Sequence, residues 1–243
     1  MITSPANAKI KNIIKLQKRS RERREQDVFI VEGVRMFREA PRALIKEVFI
    51  SESLARKNTL ADQLSGLEVE IVEDSVFAKI SDTQTPQGIL CVMHRLHHDL
   101  AGKLAAANGV WMILEDIQDP GNLGTIMRTA EGAGIEGIIM TDSTVDIYNP
   151  KTIRSTMGSL YRVPFFVIPS IEDVILQLRE LGFAIYAAHL DGSRFYDEFS
   201  YVDKCAFLIG NEGNGLSDKA AGLATEYLRI PMEGKVESLN AAI

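Results

Sequence analysis

Residues 110–130 have the sequence VWMILEDIQDPGNLGTIMRTA, in which an apolar run is followed by a polar turn and a helical pattern. The apolar run, residues 110–114, has the length of a buried strand. Further runs of similar length follow at residues 137–140, 165–168, 184–188, 206–209 and 227–230. Helical patterns separate most of them, at residues 124–133, 150–157, 171–181 and 216–223. This alternation predicts an α/β fold whose second half contains a parallel sheet covered by helices on both faces.

Three loops that follow strands in this half carry unusual residues. Parallel sheets bind ligands beyond the carboxyl ends of their strands, so chemistry is expected in these loops. We call them the first loop (residues 115–123), the second loop (residues 210–217) and the third loop (residues 230–240). The second loop places three glycines around Glu212, with a spacing that matches neither G-x-G-x-x-G nor a P-loop. A neutral or zwitterionic ligand therefore fits it better than a polyphosphate.

The first half of the chain predicts a smaller α/β unit without a cofactor motif. Ser4 and Pro5 are typical of a helix start. Strands are predicted at residues 28–31, 47–50, 69–72 and 88–93, and helices at residues 53–64 and 74–80. A polar stretch followed by small residues then marks a boundary. The sequence thus predicts a domain at residues 1–95, a linker at residues 96–108 and a second domain at residues 109–243.

The charge of the chain is distributed unevenly. Its net charge is −6, but the first 25 residues contain eight basic and two acidic residues, a net charge of +6, so the remaining 218 carry −12. A basic segment attracts phosphate by releasing counterions. The segment predicts contact with RNA through Arg19, Arg21, Arg23 and Arg24, and the alternative is a solvated helical face.

Other features of the sequence narrow the class of protein. No apolar run has the length of a membrane span or a signal peptide, which predicts a cytoplasmic protein without a membrane partner. Cys91 and Cys205 lie far apart in apolar runs and are predicted to be buried, reduced thiols. His94 and His98 have helical spacing, but only Asp99 accompanies them, so no metal site is predicted.

The three loops, together with the helical pattern that follows the first one, resemble the signature motifs of the SpoU/TrmH family of RNA 2′-O-ribose methyltransferases, in the SPOUT superfamily. The matching residues are Asn122, Gly124 and Arg128 in the first motif, Gly210, Glu212 and Gly213 in the second, and Pro231, Met232, Ser238, Leu239 and Asn240 in the third. The resemblance covers roughly residues 109–243. Residues 1–95 are similar to the ribosomal-protein-like substrate-binding domain of many members, including the stretches at residues 29–33 and 84–88.

The resemblance implies an enzyme that transfers a methyl group from S-adenosylmethionine to a ribose 2′-hydroxyl of RNA. Ribosomal RNA is the favoured substrate. It also implies a deep trefoil knot in the second domain and a homodimer with the active site at the interface. The third motif of the family normally continues into a C-terminal helix. This sequence ends at Ile243, three residues after Asn240, so a truncated helix is expected.

The resemblance also assigns roles to residues. Gly210, Ile230 and Leu239 are expected to line the cofactor through their backbone groups. Leu208, Ile209, Gly213 and Met232 are also expected at the cofactor. Asn122, Arg128, Glu212, Ser238 and Asn240 are expected to surround the reacting ribose. Arg128 is the proposed activator of the hydroxyl in the family. Because a guanidinium has a pKa above about 12, Arg128 is either an unusual base or an electrostatic anchor for RNA phosphate.

Other functions compete with this interpretation. A non-catalytic RNA-binding or ribosome-assembly protein with the same fold, and a methyltransferase that acts on transfer RNA, are the alternatives. A nicotinamide-dependent oxidoreductase would need G-x-G-x-x-G after a strand and a later acidic residue, and the chain lacks this combination.

Overall fold

The computed structural model describes residues 1–234 and 239–243. The described chain forms two compact units. Unit 1 comprises residues 1–97 and 146–161, and unit 2 comprises residues 98–145 and 162–243. Residues 146–161 therefore belong to unit 1, although the residues before and after them along the chain belong to unit 2.

Unit 1 is a four-stranded mixed sheet with helices. Its elements are α1 (Ala8–Lys18), α2 (Ser20–Glu25), β1 (Val28–Glu32), α3 (Val34–Glu39), β2 (Ile45–Ser51), α4 (Glu52–Lys57), α5 (Ala61–Leu64), β3 (Val69–Val72), α6 (Asp74–Ile80) and β4 (Ile89–His94), with α9 (Pro150–Thr156) from the later segment. The strand order is β1-β4-β2-β3. β4 is antiparallel to both of its neighbours, and β2 is parallel to β3.

The first helix of unit 1 packs by a regular apolar stripe. Ile10, Ile13 and Leu16 are buried in one hydrophobic cluster that also contains residues of α6. The helix begins at Ala8 because the Asn7 side chain accepts a hydrogen bond from the backbone of Lys9 at 2.8 Å. The start predicted at Ser4 is therefore wrong by a few residues.

The helix predicted at residues 53–64 is divided into α4 and α5. The division occurs at Asn58, which has a φ of 52° and caps α4 in the left-handed conformation. Asparagine adopts this conformation more readily than most residues and often ends helices.

Unit 2 contains a seven-stranded sheet in which every pairing is parallel. Its elements are α7 (Leu100–Ala106), β5 (Val110–Leu114), α8 (Pro120–Ala133), β6 (Gly137–Thr141), β7 (Phe165–Ile168), α10 (Glu172–Glu180), β8 (Ala184–Ala188), β9 (Arg194–Phe195), β10 (Cys205–Ile209), α11 (Asp218–Gly222) and β11 (Glu226–Arg229). The strand order is β7-β6-β5-β10-β8-β11-β9. The prediction of an α/β fold with a parallel sheet is confirmed.

The strand order brings the first and second loops side by side. The chain moves outward from β5 through β6 and β7, and its return places β10 on the other side of β5. In open parallel sheets, such a change of direction opens a crevice at the carboxyl ends of the two central strands. The first loop leaves β5 and the second leaves β10 at this crevice.

The sheet of unit 2 is buried by apolar side chains on both faces. On one face, residues of α7, α10 and α11 pack around Trp111 and Ile185. Tyr186, Cys205 and Leu228 belong to a separate cluster, which Phe199 and Phe207 help to cover. The segment predicted as a linker thus contains a helix, α7, whose Leu104 is part of a core.

Both cysteines are free and buried, as predicted. Burial raises the pKa of Cys91 to about 12, so its thiol stays protonated. Within the described residues, no helix is both long and apolar enough to cross a membrane. The trefoil knot stays a prediction.

Candidate active site

The centre of the candidate site is the carboxylate of Glu212, which joins the second loop to the first. It accepts hydrogen bonds from the backbone amides of Gln118 at 3.0 Å and Asp119 at 3.1 Å. It also accepts one from Nδ2 of Asn122 at 2.9 Å. Residues about ninety positions apart along the chain thus meet at one side chain.

These hydrogen bonds keep Glu212 ionised. Partial burial alone would raise its pKa, but the bonds from Gln118, Asn122 and Asp119 act in the opposite direction and outweigh it. The pKa of Glu212 therefore lies below its ordinary value. A carboxylate whose two oxygens already accept three N–H groups is a poor base, and its geometry suits it to orient its neighbours.

Helix α8 begins within this arrangement. Asp119 caps it by accepting a hydrogen bond from the amide of Asn122 at 2.9 Å, and Pro120 occupies the first turn. The side chain of Asn122 is oriented by Glu212, since the amide donates through Nδ2. This leaves its Oδ1 as an acceptor with no hydrogen-bond partner among the described residues.

Arg128 lies further along α8 and is exposed. Six residues separate it from Asn122, so the two side chains point about 120° apart around the helix axis. In the described part of the chain, no hydrogen bond or ion pair joins the side chain of Arg128 to another residue. Its guanidinium is accessible to a ligand, but the structure does not bring it to Glu212 as it does Asn122.

The second loop is a tight turn that requires a glycine at its start. A Cβ atom on Gly210 would lie 2.2 Å from the backbone carbon of Gly215 and 2.3 Å from the nitrogen of Leu216. Asn211 and Gly215 exchange two backbone hydrogen bonds of 3.0 Å, which close the turn. Ahead of this turn, Leu208 is fully buried in the sheet and its side chain serves the core, whereas Ile209 is only partly buried.

The described parts of the third loop expose two apolar side chains to solvent. Ile230 is 40% exposed and Leu239 is 44% exposed. Asn240 accepts a hydrogen bond from the backbone of Ala242 at 2.8 Å, and no hydrogen bond between the described residues joins it to the other two loops. Ser238 lies outside the described residues, so its predicted place at the site stays a prediction.

A cleft of about 430 Å³ opens at the carboxyl ends of β5, β6 and β7. Its lining includes Asp116, Thr141, Ser170 and Glu172, as well as part of the second loop. Among the described residues, the lining does not include those predicted to hold the cofactor, but it includes Asn211 and Asn214, which directly follow Gly210 and Gly213.

The four predicted RNA-binding arginines differ in accessibility. Arg19, Arg21 and Arg24 are exposed, and Arg21 pairs with Glu25 at 2.6 Å. Arg23 is only 4% exposed and donates to the carbonyl oxygen of Leu16 at 2.6 Å and to Asp146 at 2.5 Å. Its donors are already used within unit 1, so the structure gives Arg23 a packing role in place of the predicted RNA contact.

An acidic cluster in unit 1 is held by a lysine. In the described ranges, the carboxylates of Glu47, Glu68 and Glu70 come close together. The ammonium of Lys9 forms hydrogen bonds with all three, at 3.2 Å to Glu68 and 2.8 Å to Glu70. These bonds raise the pKa of Lys9, and its charge stands where a bound cation would otherwise be needed.

Comparison with known proteins identifies the family. A model described as the SpoU rRNA Methylase family matches residues 109–243, more than half of the chain. The chain belongs to this family. A second model, described as the MRM3-like substrate binding domain, matches residues 7–91. The predictions of an S-adenosylmethionine-dependent RNA 2′-O-methyltransferase and of a SpoU/TrmH member are confirmed.

Relatives of the SpoU rRNA methylase family match nearly the whole chain. The 23S rRNA (guanosine(2553)-2′-O)-methyltransferase RlmP of Bacillus subtilis is 31% identical over 100% of this chain and 94% of its own length. The crystal structure of an AdoMet-bound rRNA methyltransferase from Sinorhizobium meliloti has a TM-score of 0.86 and 31% identity, covering 99% of this chain and 92% of that one. AviRb of Streptomyces viridochromogenes, in complex with AdoMet, has a TM-score of 0.84 and 25% identity, covering 97% and 93%.

Two polar residues of this SpoU site were not identified from the sequence. The side chain of Asn211 bonds to the first loop, and Ser217 donates from its backbone and its hydroxyl to Glu115, each at 2.7 Å. An asparagine directly after a glycine that follows a strand indicates a turn closed by the asparagine side chain, but nothing in the sequence indicated the bond from Asn211 to the first loop.

Proposed function

We propose that this chain transfers the methyl group of S-adenosylmethionine to a ribose 2′-hydroxyl of ribosomal RNA. The observation that carries the proposal is the contact of Glu212 with Asn122 and with the amides that precede α8. This contact joins the first and second motifs into one site. The relatives named above are all described as rRNA methyltransferases or SpoU methyltransferases, which favours ribosomal over transfer RNA.

Asn122 is proposed to orient the target ribose. Because Glu212 holds its Nδ2, the Oδ1 atom is directed as an acceptor and suits a hydrogen bond from a ribose hydroxyl. The ionised Glu212 is proposed to position Asn122 and the start of α8, without serving as the base.

The cofactor is proposed to lie against the start of the second loop and the third loop. The exposed side chains of Ile230 and Leu239 offer apolar surface of the kind an adenine ring needs. Gly210 brings backbone close where no side chain fits. When bound, S-adenosylmethionine supplies an electrophilic methyl group on a sulfonium, so the chemistry needs no metal.

Arg128 is proposed to anchor RNA phosphate and to stabilise negative charge that develops on the ribose oxygen. Its guanidinium is exposed and has no ion-pair partner in the described ranges. A group that is almost never neutral serves better as a fixed charge than as a base. Unit 1 is proposed to bind RNA through three exposed arginines, Arg19 between α1 and α2 and Arg21 and Arg24 of α2. We also propose that the protein acts as a homodimer in the cytoplasm.

The function is tested with purified protein, S-adenosylmethionine labelled on its methyl group, and ribosomal RNA that lacks natural modification. Label in the RNA, mapped to one ribose by resistance to alkaline cleavage, is the expected result. Transfer RNA is the parallel substrate, and preferential labelling there would shift the proposed substrate. RNA binding without any methyl incorporation, at saturating cofactor, would support the non-catalytic alternative instead.

A further inference from the structure

We propose that Asn211 is a positioning residue that fastens the second loop to the first loop and thereby holds Glu212 on Asn122. The inference deepens the proposed function and rests on it. No side-chain hydrogen bond between the described residues joins Asn211 to Asn122 or Arg128, the two residues proposed above to meet the RNA. Asn211 would affect methylation by fixing the distance between the first and second loops.

The acceptor end of the Asn211 amide closes the second loop. Its Oδ1 accepts hydrogen bonds from the backbone amides of Gly213 and Asn214, each at 2.9 Å. The backbone of Asn211 also pairs with Gly215 in both directions. The turn that follows β10 is thus organised around this one side chain.

The donor end of the same amide reaches the first loop. Nδ2 of Asn211 donates to the carbonyl oxygen of Asp116 at 2.8 Å. A single planar group therefore connects the two loops at a defined separation, because its acceptor and donor are both in use.

The carbonyl oxygen that receives this bond is itself well fixed. Asp116 has a φ of 58°, in the left-handed region that few non-glycine residues adopt. Its amide donates to the hydroxyl of Thr141 at 2.9 Å, and its carboxylate accepts from Nε2 of Gln118 at 2.6 Å. The backbone conformation of Asp116 and these two hydrogen bonds fix the direction of the carbonyl group that accepts the bond from Asn211.

Asn211 directly precedes Glu212, so its bond to the first loop affects where the carboxylate of Glu212 lies. Glu212 must place both carboxylate oxygens on three N–H groups of the first loop. Such an arrangement tolerates little movement, since hydrogen bonds weaken steeply with misalignment. Ser217 and Glu115 tie the far end of the second loop, but the bond from Asn211 is the one adjacent to Glu212.

The substitution Asn211→Asp separates the two roles of the side chain. An aspartate keeps an oxygen that accepts from Gly213 and Asn214, so the turn can still close. It replaces the donor with a second oxygen, which faces the carbonyl of Asp116 and repels it. Asn211→Ser is a neutral second variant, since a hydroxyl can cap the turn but is too short to reach Asp116.

Asn214→Asp is the matched control. It adds the same charge to the same loop, at an exposed side chain that makes no hydrogen bond to another described residue. A general effect of negative charge on RNA binding would appear in both variants.

We expect Asn211→Asp to lower kcat for RNA methylation about 10- to 100-fold while the KM for RNA changes little, because misplacement of the site by about 1 Å has effects of this size. Asn211→Ser is expected to lower kcat in the same direction. The acid limb of the pH profile should move to higher pH, since Glu212 loses hydrogen bonds that favour its ionised form. Asn214→Asp should retain kcat and the pH profile of the unchanged chain.

A double-mutant cycle with Glu212→Gln tests whether Asn211 acts through Glu212. The double variant is expected to be no slower than the slower single variant. If the fold-losses in kcat of the two single variants multiply in the double variant, Asn211 does not act through Glu212. The same follows if both Asn211 variants fold and keep their kcat while Glu212→Gln is impaired. Either result would overturn the role of Asn211 and leave the proposed function standing. Unchanged methylation by Glu212→Gln would instead contradict the proposed role of Glu212. Circular dichroism and thermal unfolding verify that each variant is folded.

Discussion

Arg23 and Asp146, which lie 123 positions apart in the chain, form an ion pair inside unit 1. Nη2 of Arg23 is 2.5 Å from Oδ2 of Asp146, and Nε also donates to that oxygen at 3.1 Å. The remaining donor group, Nη1, bonds to the carbonyl oxygens of Leu16 and Gln17. A residue of the basic segment is thus used to attach residues 146–161 to the core of unit 1.

The substitution Arg23→Ala is therefore expected to destabilise the protein by about 3 kcal/mol. Breaking a buried ion pair leaves a carboxylate without its partner. Because the side chain of Asp146 is 25% exposed, we expect a loss of unfolding free energy at the lower end of the usual range for buried pairs. The shift in the midpoint of urea unfolding measures the effect. Arg24→Ala removes the same charge from an exposed neighbour and should change stability by less than about 0.5 kcal/mol. Equal midpoints for the two variants would contradict the structural role of Arg23.

The exposed arginines of the same segment should govern the salt dependence of RNA binding. Removing Arg19, Arg21 and Arg24 together is expected to weaken RNA binding and to reduce the slope of log K against log salt by about 2, because each phosphate contact contributes about 0.7 for single-stranded RNA. Filter binding from low to high salt measures the slope.

A control for this slope removes three charges from other surfaces of unit 1. Lys46, Arg56 and Lys57 are exposed, and their replacement by alanine should leave the slope nearly unchanged. Equal slopes for both triple variants would show that the basic segment has no special part in RNA binding.

The low pKa of Glu212 makes its contribution to stability dependent on pH. Because its pKa is lower in the folded chain than its ordinary value of 4.5, the stabilisation is fully present above that value and is lost as the pH falls through the folded pKa. The difference in urea midpoint between the unchanged chain and Glu212→Gln should therefore be largest near neutral pH and shrink in acid. Glu180→Gln, at an exposed residue of α10, is the control for loss of one charge. A difference that does not vary with pH would argue against an ionised, hydrogen-bonded Glu212.

Most of the sheet in unit 2 could be predicted from the sequence because its strands are rich in apolar residues and its central strands are largely buried on both faces. The predicted bounds 165–168 and 184–188 agree with β7 and β8. Burial on both faces produces continuous apolar runs, which end where the strand leaves the core. The short strand β9 has two exposed residues and no such run, so nothing in the pattern indicated it.

The membership of residues 146–161 in unit 1 could not be predicted in this way. Tyr148 and Ile153 are buried, and their apolar character is the same whichever core they join. Tyr148 packs on Phe29 with ring centroids 4.7 Å apart, a partner more than one hundred positions away. Periodicity shows that a residue is buried but does not identify its partner.

The candidate site was predictable to the extent that its residues have distinctive types. Glycines, a carboxylate and an asparagine after successive strands indicated the first and second loops, and the resemblance assigned their roles. The role of Asn211 was not predictable, because its partner is the backbone carbonyl of Asp116, whose direction depends on a left-handed φ. Contacts between a side chain and a backbone leave no pairing signal in a single sequence.

The tight turn at Gly210 predicts a strong effect from one added methyl group. In Gly210→Ala, the Cβ would overlap the backbone of Gly215 and Leu216, so the second loop must shift. We expect a destabilisation of about 1–3 kcal/mol and a loss of methylation of more than about tenfold. Gly222→Ala is the matched variant, since its Cβ would meet nothing within 4 Å, and it should retain activity. Thermal unfolding and methyl incorporation, measured on both variants, make the comparison. Full activity in Gly210→Ala would show that the turn adapts without consequence for the site.

Two substitutions at Arg128 distinguish its two possible roles. If Arg128 is a fixed charge, Arg128→Ala should lower kcat by about 10²–10³, as the loss of an electrostatic contact to the transition state typically does. Arg128→Lys should then recover part of the rate at every pH, because a lysine keeps the charge but not the bidentate geometry. If Arg128 is instead a base, lysine is easier to deprotonate, and the rate of Arg128→Lys should rise steeply with pH towards that of the unchanged chain. Single-turnover methylation from pH 6 to pH 10 measures this difference. Because the exposed guanidinium of Arg128 has no hydrogen-bond acceptor among the described residues that could take up its proton, we expect the pH-independent recovery.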